Sequence, residues 1–469
     1  MLTFLRINDP FRLVFMGLFL FAIRGAFWWW EVPITVPEVG HLAIGEKLSQ
    51  GAFMYAGVWD STPPVAAGAY WLLVALFGKS VFPFQLTAVL LIVFQAGLWN
   101  LILLRYTLYN EKNYVPAFLY AAFMCASFDL SALSPTLLAT TFLLLAADRL
   151  FLLRDRPSDS NLFLLGVYTG LAFLSDLATI SFLFFIIFGA ANMRTIGLRQ
   201  FFLILYGFGF VVSLFAGYYF WFGHFDDFVQ NCLFTLIRFA PTRLLDLSVF
   251  GLLIGPSLLL LVIAIIRTFT ERGFVNFQVS CQTLLLLWSV CALMALPLSH
   301  SLSTQNLVLF APPFSFFATH FFLGLKKKPV AELFFTLYLT LTIGVSFASL
   351  YLPQQSRHFD FAKLNAKIGH PELLGKKVLV LGDNNRYYFQ NTLATPYYDW
   401  QLAQRHFSHL DYYTVVVDIY HNFGQDPPQV IVDEANFAKH LFRQMPLLGQ
   451  QYEADPHHAN WYRQKGVEK

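Results

Sequence analysis

Residues 51–80 read GAFMYAGVWDSTPPVAAGAYWLLVALFGKS, a polar loop that ends at Pro63-Pro64 and is followed by an apolar run, Val65 to Gly78. A helix needs roughly 17 to 25 apolar residues to cross the hydrocarbon core of a bilayer. This run is shorter, and the distribution of basic residues given below favours a short helix that lies in the outer interface or dips back. Whether it spans decides the orientation of every later segment.

The composition places the rest of the chain in lipid. The 469 residues are 57% hydrophobic, 18% aromatic and 13% charged, with a mean hydropathy of +0.55. Soluble domains carry about 25% charge, and one water-soluble core cannot bury so much apolar surface. These values exclude a soluble enzyme, and a net charge of only +3 gives no indication of a nucleic-acid partner.

Eleven apolar runs are candidates for membrane crossing. The sequence therefore predicts a polytopic α-helical membrane protein with about eleven spans and interfacial helices. The runs lie near 13–30, 82–104, 114–128, 132–153, 161–177, 178–193, 201–221, 248–266, 279–298, 306–325 and 330–350.

The basic residues orient these spans. If Val65 to Gly78 does not cross, four basic residues fall in loops on one side (Lys47, Lys79, Arg238 and Arg243) and fourteen on the other. Basic loops favour the cytoplasm, so we expect a cytoplasmic N-terminus, long outer loops at 31–81 and 222–247, and an outer tail. The fourteen are Arg6, Arg12, Arg105, Lys112, Arg149, Arg154, Arg156, Arg194, Arg199, Arg267, Arg272, Lys326, Lys327 and Lys328.

The tail predicts a small α/β domain, so we divide the chain into a transmembrane domain, 1–350, and an extracytoplasmic domain, 351–469. Apolar runs indicate strands at Lys376 to Gly382, Tyr413 to Asp418 and Gln429 to Asp433. Helical patterns cover Trp400 to Phe407 and Ala435 to Met445. No G-x-G-x-x-G follows the first strand, which argues against nucleotide binding.

The first outer loop concentrates acidic residues beside the membrane. Glu38 lies near the start of an amphipathic helix with His41 one turn later, and Asp60 precedes Ser61-Thr62-Pro63-Pro64. Acids at these places also have simpler interpretations. Glu38 can complement the helix dipole and Asp60 can cap the following helix. In the second outer loop, Phe228 to Phe239 predicts a helix in the plane of the membrane.

Residues 31–80 resemble the N-terminal region of the GT-C superfamily of integral-membrane glycosyltransferases. The similarity rests on one span, an acidic residue before a short helix, the pattern G-x-x-x-Y-x-x-x-W-D-x-x-P-P from Gly51 to Pro64, and an apolar helix that ends at Phe77-Gly78-Lys79. Beyond residue 80 the similarity is architectural. The family includes protein O-mannosyltransferases and the lipid A aminoarabinose transferase.

The resemblance implies a transferase that moves a sugar from a polyprenyl-phosphate donor to a lipid, glycan or protein acceptor at the outer face of the bacterial inner membrane. By position, Glu38 matches the family's acidic residue, which activates the acceptor or in some branches helps to bind a divalent cation. Asp60 matches the aspartate before the paired prolines. Two departures are Pro37, where the family often has a second acid, and Thr62, where it often has a basic residue.

The departing phosphate needs cations or helix N-termini at the outer face. Arginines there are as readily interpreted as snorkelling anchors, and a lone histidine as a cap or packing residue. The candidate phosphate-binding residues are Arg24, His41, Lys79, Arg238, Arg243 and His300.

Two other functions stay open. The departures at Pro37 and Thr62 motivate one alternative to the enzyme, a non-catalytic membrane scaffold or assembly protein that keeps this architecture. A transporter would use charges within its spans, but only Arg24 is clearly within one, and no paired broken helices are evident.

Reporter fusions at Lys112 and Lys327 test the orientation. Because both lie in basic loops, we expect cytoplasmic signals from a fusion at either position. A matched fusion after residue 466 should report the opposite side. An outer signal at Lys112 would contradict the topology.

Overall fold

The computed structural model describes residues 1–29, 34–155, 158–193, 197–238, 242–243, 247–271, 274–351 and 371–466. Its helices, in chain order, are α1 (Leu2–Leu5), α2 (Phe11–Trp29), α3 (Val36–Ser49), α4 (Pro64–Phe77), α5 (Val81–Arg105), α6 (Val115–Met124), α7 (Pro135–Leu152), α8 (Asp159–Phe173), α9 (Ser181–Met193), α10 (Leu198–Trp221), α11 (Phe225–Phe228), α12 (Thr235–Arg238), α13 (Leu247–Thr270), α14 (Asn276–Ala295), α15 (Ala311–Leu323), α16 (Lys328–Tyr351), α17 (Trp400–Phe407), α18 (Tyr413–Gln425), α19 (Ala438–Gln444) and α20 (Pro446–Gly449).

The strands are short. They are β1 (Thr242–Arg243), β2 (Ser301–Leu302), β3 (Lys377–Leu381), β4 (Thr392–Leu393), β5 (Val430–Asp433), β6 (Tyr452–Ala454) and β7 (Trp461–Gln464). The first two pair in parallel, and the other five form a second sheet.

Each of the eleven predicted runs forms a helix, and the chain is a multi-pass membrane protein. Within the described residues, eight helices are long and apolar enough to cross a bilayer. The runs near 114–128, 161–177 and 178–193 form shorter helices, α6, α8 and α9. At 1.5 Å per residue, the 15 residues of α8 reach about 22 Å. The helix predicted at Val65 to Gly78 is α4, with 14 residues.

The chain forms two compact units. The helical unit comprises Met1–Val32, Phe82–Phe215 and Ala240–Lys363, and the mixed unit comprises Pro33–Val81, Ala216–Phe239 and Leu364–Lys469. The two outer-loop regions therefore fold together with the tail. Residues 352–370, which follow the last span, lie outside the described residues, so the domain boundary at 350 and 351 stays a prediction.

The sheet of the mixed unit has the order β4-β3-β5-β7-β6. The strands β4, β3 and β5 are parallel, whereas β7 and β6 run antiparallel to their neighbours. Leu379, Leu381 and Ile431 are buried against aromatic side chains of α17, including Trp400 and Phe407. This core confirms the predicted small α/β domain in the tail.

One tail element differs from the sequence prediction. Tyr413 to Asp418, predicted as a strand, is the first part of helix α18. Its β-branched valines favour a strand locally, but Ile419 and Phe423, one helical turn apart, are both buried in the tail core. Burial of that helical face outweighs the local strand preference. The predicted helix at Ala435 to Met445 is the shorter α19.

Asp426, at the end of α18, links α3 to the sheet. Lys47 donates to one of its carboxylate oxygens, and Lys377 Nζ lies 2.6 Å from the other. Burial acts to raise the pKa of Asp426, but the hydrogen bonds from the two lysines outweigh it, so the pKa lies below its ordinary value. The ionised form therefore stabilises the fold.

We expect the variant Asp426→Asn to have a lower Tm than wild type at pH 7. A lowered carboxylate pKa contributes stability above the unfolded-state value, about pH 4, that is lost as the pH falls through the folded-state value. The Tm difference should therefore shrink between pH 5 and pH 3 in thermal unfolding of the purified protein. Asp411→Asn, at an exposed position, is the matched control. A Tm difference that stays constant across this pH range would contradict the interpretation.

Candidate functional site

Glu38 closes the first turn of α3. Thr35 is the N-cap residue: its Oγ1 accepts a hydrogen bond from the Glu38 backbone N–H, while Glu38 Oε2 accepts from Thr35 N and from Thr35 Oγ1, each at 3.0 Å. This arrangement is a capping box. The side chain is only 6% exposed. The simpler interpretation of Glu38, as a helix-start acid, describes a contact that it does make, and its catalytic role stays a prediction.

Asp60 shapes the turn that leads into α4. Its Oδ2 accepts a hydrogen bond from the Thr62 backbone N–H at 2.8 Å, and the residue is 7% exposed. The N-cap position of α4 is Pro63, so Asp60 organises the turn rather than capping the helix. This local bond fixes the direction of one carboxylate oxygen.

Tyr55 supports the same turn from inside the mixed unit. It is fully buried, adopts a left-handed backbone conformation with φ of 74°, and donates from its hydroxyl to Thr62 O at 2.8 Å. Burial raises the pKa of Tyr55 well above its ordinary value, with smaller contributions from Cys232, Tyr219 and Asp60. The phenol therefore stays protonated and can donate.

The second predicted outer loop contacts Tyr55. Its residues Phe225–Arg238 are helical, with a π-helical turn at Val229–Leu233 between α11 and α12. Asn231 donates to Tyr55 O at 3.0 Å, and the Phe228 ring lies 5.6 Å from the Tyr55 ring. The left-handed backbone at Tyr55 is thus held by a hydrogen bond from Asn231, a residue of the π-helical turn. Such local strain is common at functional sites.

Trp59 attaches the loop to the tail. Its backbone N–H donates to Pro396 O at 2.7 Å, and its own carbonyl accepts from Asp399 N at 3.0 Å. The indole ring packs edge-on against Tyr397 and His406, with both ring centroids at 5.0 Å. The sequence showed the tryptophan but not its partners. Within the mixed unit, Trp59 is therefore held by the tail, and Asp60 directly after it is held by its bond to Thr62 N.

His41 and Gly45 form the contact between α3 and α4. The His41 ring stacks on Tyr70 with centroids 4.4 Å apart, and His41 is 7% exposed. A Cβ at Gly45 would lie 2.7 Å from Tyr70 O, so only glycine permits this approach. The stacking favours a packing role for His41. Its predicted contact with a phosphate stays a prediction.

Lys79 makes structural contacts after α4. Its ammonium lies 2.7 Å from Glu46 Oε2 and donates to the carbonyls of Tyr388 and Asn391 at 3.1 and 2.7 Å. An ammonium has three N–H donors, so these contacts account for all of them. The geometry favours a role in attaching α4 to the tail over the predicted role in binding phosphate.

Arg24 belongs to the helical unit. It lies in α2 with 5% exposure and donates from Nη1 to Phe128 O and Ser131 Oγ, both at 3.0 Å. The neighbouring Asp129 is fully buried. Its two oxygens accept hydrogen bonds from Thr304 Oγ1 and Gln305 Nε2, each at 2.7 Å. This polar cluster inside a membrane-spanning unit was only partly evident from the sequence analysis, which named Arg24 but none of its partners.

The three remaining predicted phosphate-binding residues are Arg238, Arg243 and His300. Arg238 ends α12 and Arg243 lies in β1, but their side chains fall outside the described part of the chain. His300 directly precedes β2 in the helical unit. The structure therefore places His41 and Lys79 in the mixed unit with Glu38 and Asp60, and places Arg24 and His300 in the helical unit.

A divalent cation at the site, which the family resemblance allows, stays a prediction. Across the described ranges, no three His, Cys, Asp or Glu side chains form a group that could hold a metal ion. Carboxylate cages for such cations normally need several oxygen ligands.

No known protein family and no curated protein sequence matches the chain, but solved structures do. ArnT from Cupriavidus metallidurans bound to undecaprenyl phosphate matches with a TM-score of 0.57 and 13% identity, covering 97% of this chain and 98% of that one. The same protein in the apo state matches with a TM-score of 0.50 and 14% identity, covering 80% of this chain and 84% of that one.

A second neighbour is the archaeal oligosaccharyltransferase AglB from Archaeoglobus fulgidus, in complex with an inhibitory peptide and a dolichol-phosphate. Its TM-score is 0.50 at 11% identity, and the match covers 98% of this chain and 75% of that one. Both neighbours are GT-C membrane glycosyltransferases. The chain has the GT-C fold.

Proposed function

We propose that this chain is a glycosyltransferase that moves a sugar from a polyprenyl-phosphate donor to an acceptor at the outer face of the inner membrane. The observation that carries the proposal is the likeness in fold to ArnT, which extends over nearly the whole of both chains. The ArnT structure has undecaprenyl phosphate bound. The buried carboxylates of Glu38 and Asp60 in the first loop support it.

In the proposed reaction, Glu38 takes the proton of the acceptor hydroxyl. The acceptor oxygen attacks the anomeric carbon, the bond from that carbon to the phosphate oxygen breaks, and polyprenyl phosphate leaves with the bonding electrons. General bases of this kind contribute about 10²–10⁴-fold to rate. Asp60 is the second carboxylate of the site. Its bond to Thr62 N keeps its direction fixed and so lowers the cost of ordering the site.

The departing phosphate needs positive charge near it. We assign this role first to Arg24, because a buried guanidinium within a span is costly unless it serves a function. His41, Lys79, Arg238, Arg243 and His300 complete the proposed set. Of these, Lys79 is the weakest member, since its contacts with Glu46 and two carbonyls engage its donors.

Isosteric variants can separate structure from chemistry. Glutamine at position 38 preserves a capping box, and asparagine at position 60 can accept the same turn bond. We expect Glu38→Gln and Asp60→Asn to fold normally but fail to complement a deletion strain. Such a strain should accumulate a polyprenyl-phosphate-linked sugar, measurable by mass spectrometry of lipid extracts.

Glu453→Gln, an acid-to-amide change at an exposed position, is the matched control. When expressed in the deletion strain, it should return the polyprenyl-phosphate-linked sugar to its wild-type level. Wild-type lipid levels with Glu38→Gln would show that Glu38 is not the base. A deletion that changes no polyprenyl-linked sugar would contradict the enzyme and favour the membrane scaffold.

Arg24→Gln tests phosphate binding. A guanidinium bonded to a phosphate makes charge-assisted hydrogen bonds, so its loss should weaken retention of undecaprenyl phosphate about tenfold in native mass spectrometry. Arg105→Gln is the control, because Arg105 pairs with Asp148 at 2.8 Å. Equal retention by both variants would remove Arg24 from the proposed site.

A further inference from the structure

Tyr398 of the tail reaches the helix that carries Glu38. A Cβ atom at Gly40 would overlap the Tyr398 hydroxyl and would lie 3.3 Å from its Cζ. Tyr398 itself is 7% exposed. Glycine at position 40 is therefore what allows the phenol to touch α3, between Glu38 and His41.

The same tail segment holds the loop at Asp60. Pro396 and Asp399, on either side of Tyr398, make the two backbone hydrogen bonds to Trp59. The Tyr398 ring lies 5.6 Å from the Tyr388 ring, and its hydroxyl interacts with the Asn385 side chain. The tail segment from Pro396 to Asp399 thus contacts the first loop at two places: at Gly40, two residues after Glu38, and at Trp59, the residue before Asp60.

The electrostatic surroundings keep this hydroxyl protonated. Burial raises the pKa of Tyr398 well above its ordinary value, and the charge of Asp60 is the next largest cause. The phenol therefore stays neutral and can donate a hydrogen bond. Tyr398 is therefore suited to support an acid without replacing it.

We propose that Tyr398 is a positioning residue whose hydroxyl, packed against Gly40, sets the register between the Glu38 helix and the Asp60 turn. The inference rests on the proposed function, because it concerns the geometry of that site. It also gives the tail domain a role in positioning the two acids. The chemistry stays with Glu38 and Asp60.

The first test is kinetic. It uses the full-length protein in nanodiscs and the donor lipid extracted from the deletion strain. We expect Tyr398→Phe to lower kcat about tenfold with the donor KM within about twofold of wild type, since positioning acts on the transition state more than on binding. Tyr397→Phe is the matched control: Tyr397 is also buried, but its hydroxyl accepts from Asn422. An unchanged kcat for Tyr398→Phe would overturn the proposal.

The second test is a rescue experiment on thermal stability. Gly40→Ala should destabilise the protein, because its Cβ meets the Tyr398 hydroxyl. Adding Tyr398→Phe removes that oxygen, so the double variant should regain most of the lost Tm while kcat stays at the level of Tyr398→Phe. The expected coupling is the signature of two residues in contact.

Two other glycines provide controls. Gly45→Ala meets a backbone carbonyl, Tyr70 O, so Tyr398→Phe should not rescue it. Gly68→Ala in α4 meets no atom within 4 Å and should leave the Tm near wild type. A double variant as unstable as Gly40→Ala alone would overturn the proposed contact.

The two experiments separate the possible failures. If the deletion strain accumulates no donor lipid, the proposed function fails and the role of Tyr398 in it fails as well, whatever the rescue shows. If donor accumulates and wild type is active, but Tyr398→Phe keeps full kcat, only the role of Tyr398 is overturned.

Discussion

The pairing of Trp59 with the tail is the interaction on which the mixed unit depends. Two backbone hydrogen bonds join Trp59 to Pro396 and Asp399, and its ring packs against Tyr397 and His406. The pairing lies immediately before Asp60. Because both backbone groups of Trp59 have partners, they incur no penalty for unsatisfied polar atoms when the loop is covered.

Two lysines attach the rest of the first loop to the tail. Lys47 of α3 pairs with Asp426, and Lys79 after α4 donates to the carbonyls of Tyr388 and Asn391. The loop is thus held near its middle and on both sides. An acidic site on an otherwise flexible loop would incur a large ordering cost at each turnover, whereas a loop fixed in this way does not.

The sequence predicted the elements that depend on the membrane environment and on local apolar runs. The apolar helices followed from length and hydropathy, because backbone groups in a bilayer must pair within the segment. The strands β3 and β5 followed from apolar runs. The helix α18 did not, since burial of Ile419 and Phe423 outweighed the preference of the preceding valines. Local patterns cannot reveal burial that depends on a distant partner.

Long-range contacts were beyond the sequence for the same reason. The motif from Gly51 to Pro64 indicated a special loop, but nothing in it showed that Trp59 meets residues more than three hundred positions later. The close contacts of Gly45 with Tyr70 and of Gly40 with Tyr398 emerged only from the fold. A glycine required by a close approach resembles any other glycine in a helix.

The structural and catalytic interpretations of the two acids are compatible. Glu38 uses Oε2 in its capping box, and Asp60 uses Oδ2 in its turn. Hydrogen bonds to a carboxylate restrict its rotation, so its direction is set before a substrate arrives, which favours efficient acid–base chemistry. These structural hydrogen bonds are therefore compatible with the proposed role of each group. The contacts of Lys79 are less compatible with phosphate binding, because its ammonium has three donors and three acceptors around it, and each new bond to a phosphate would replace an existing one.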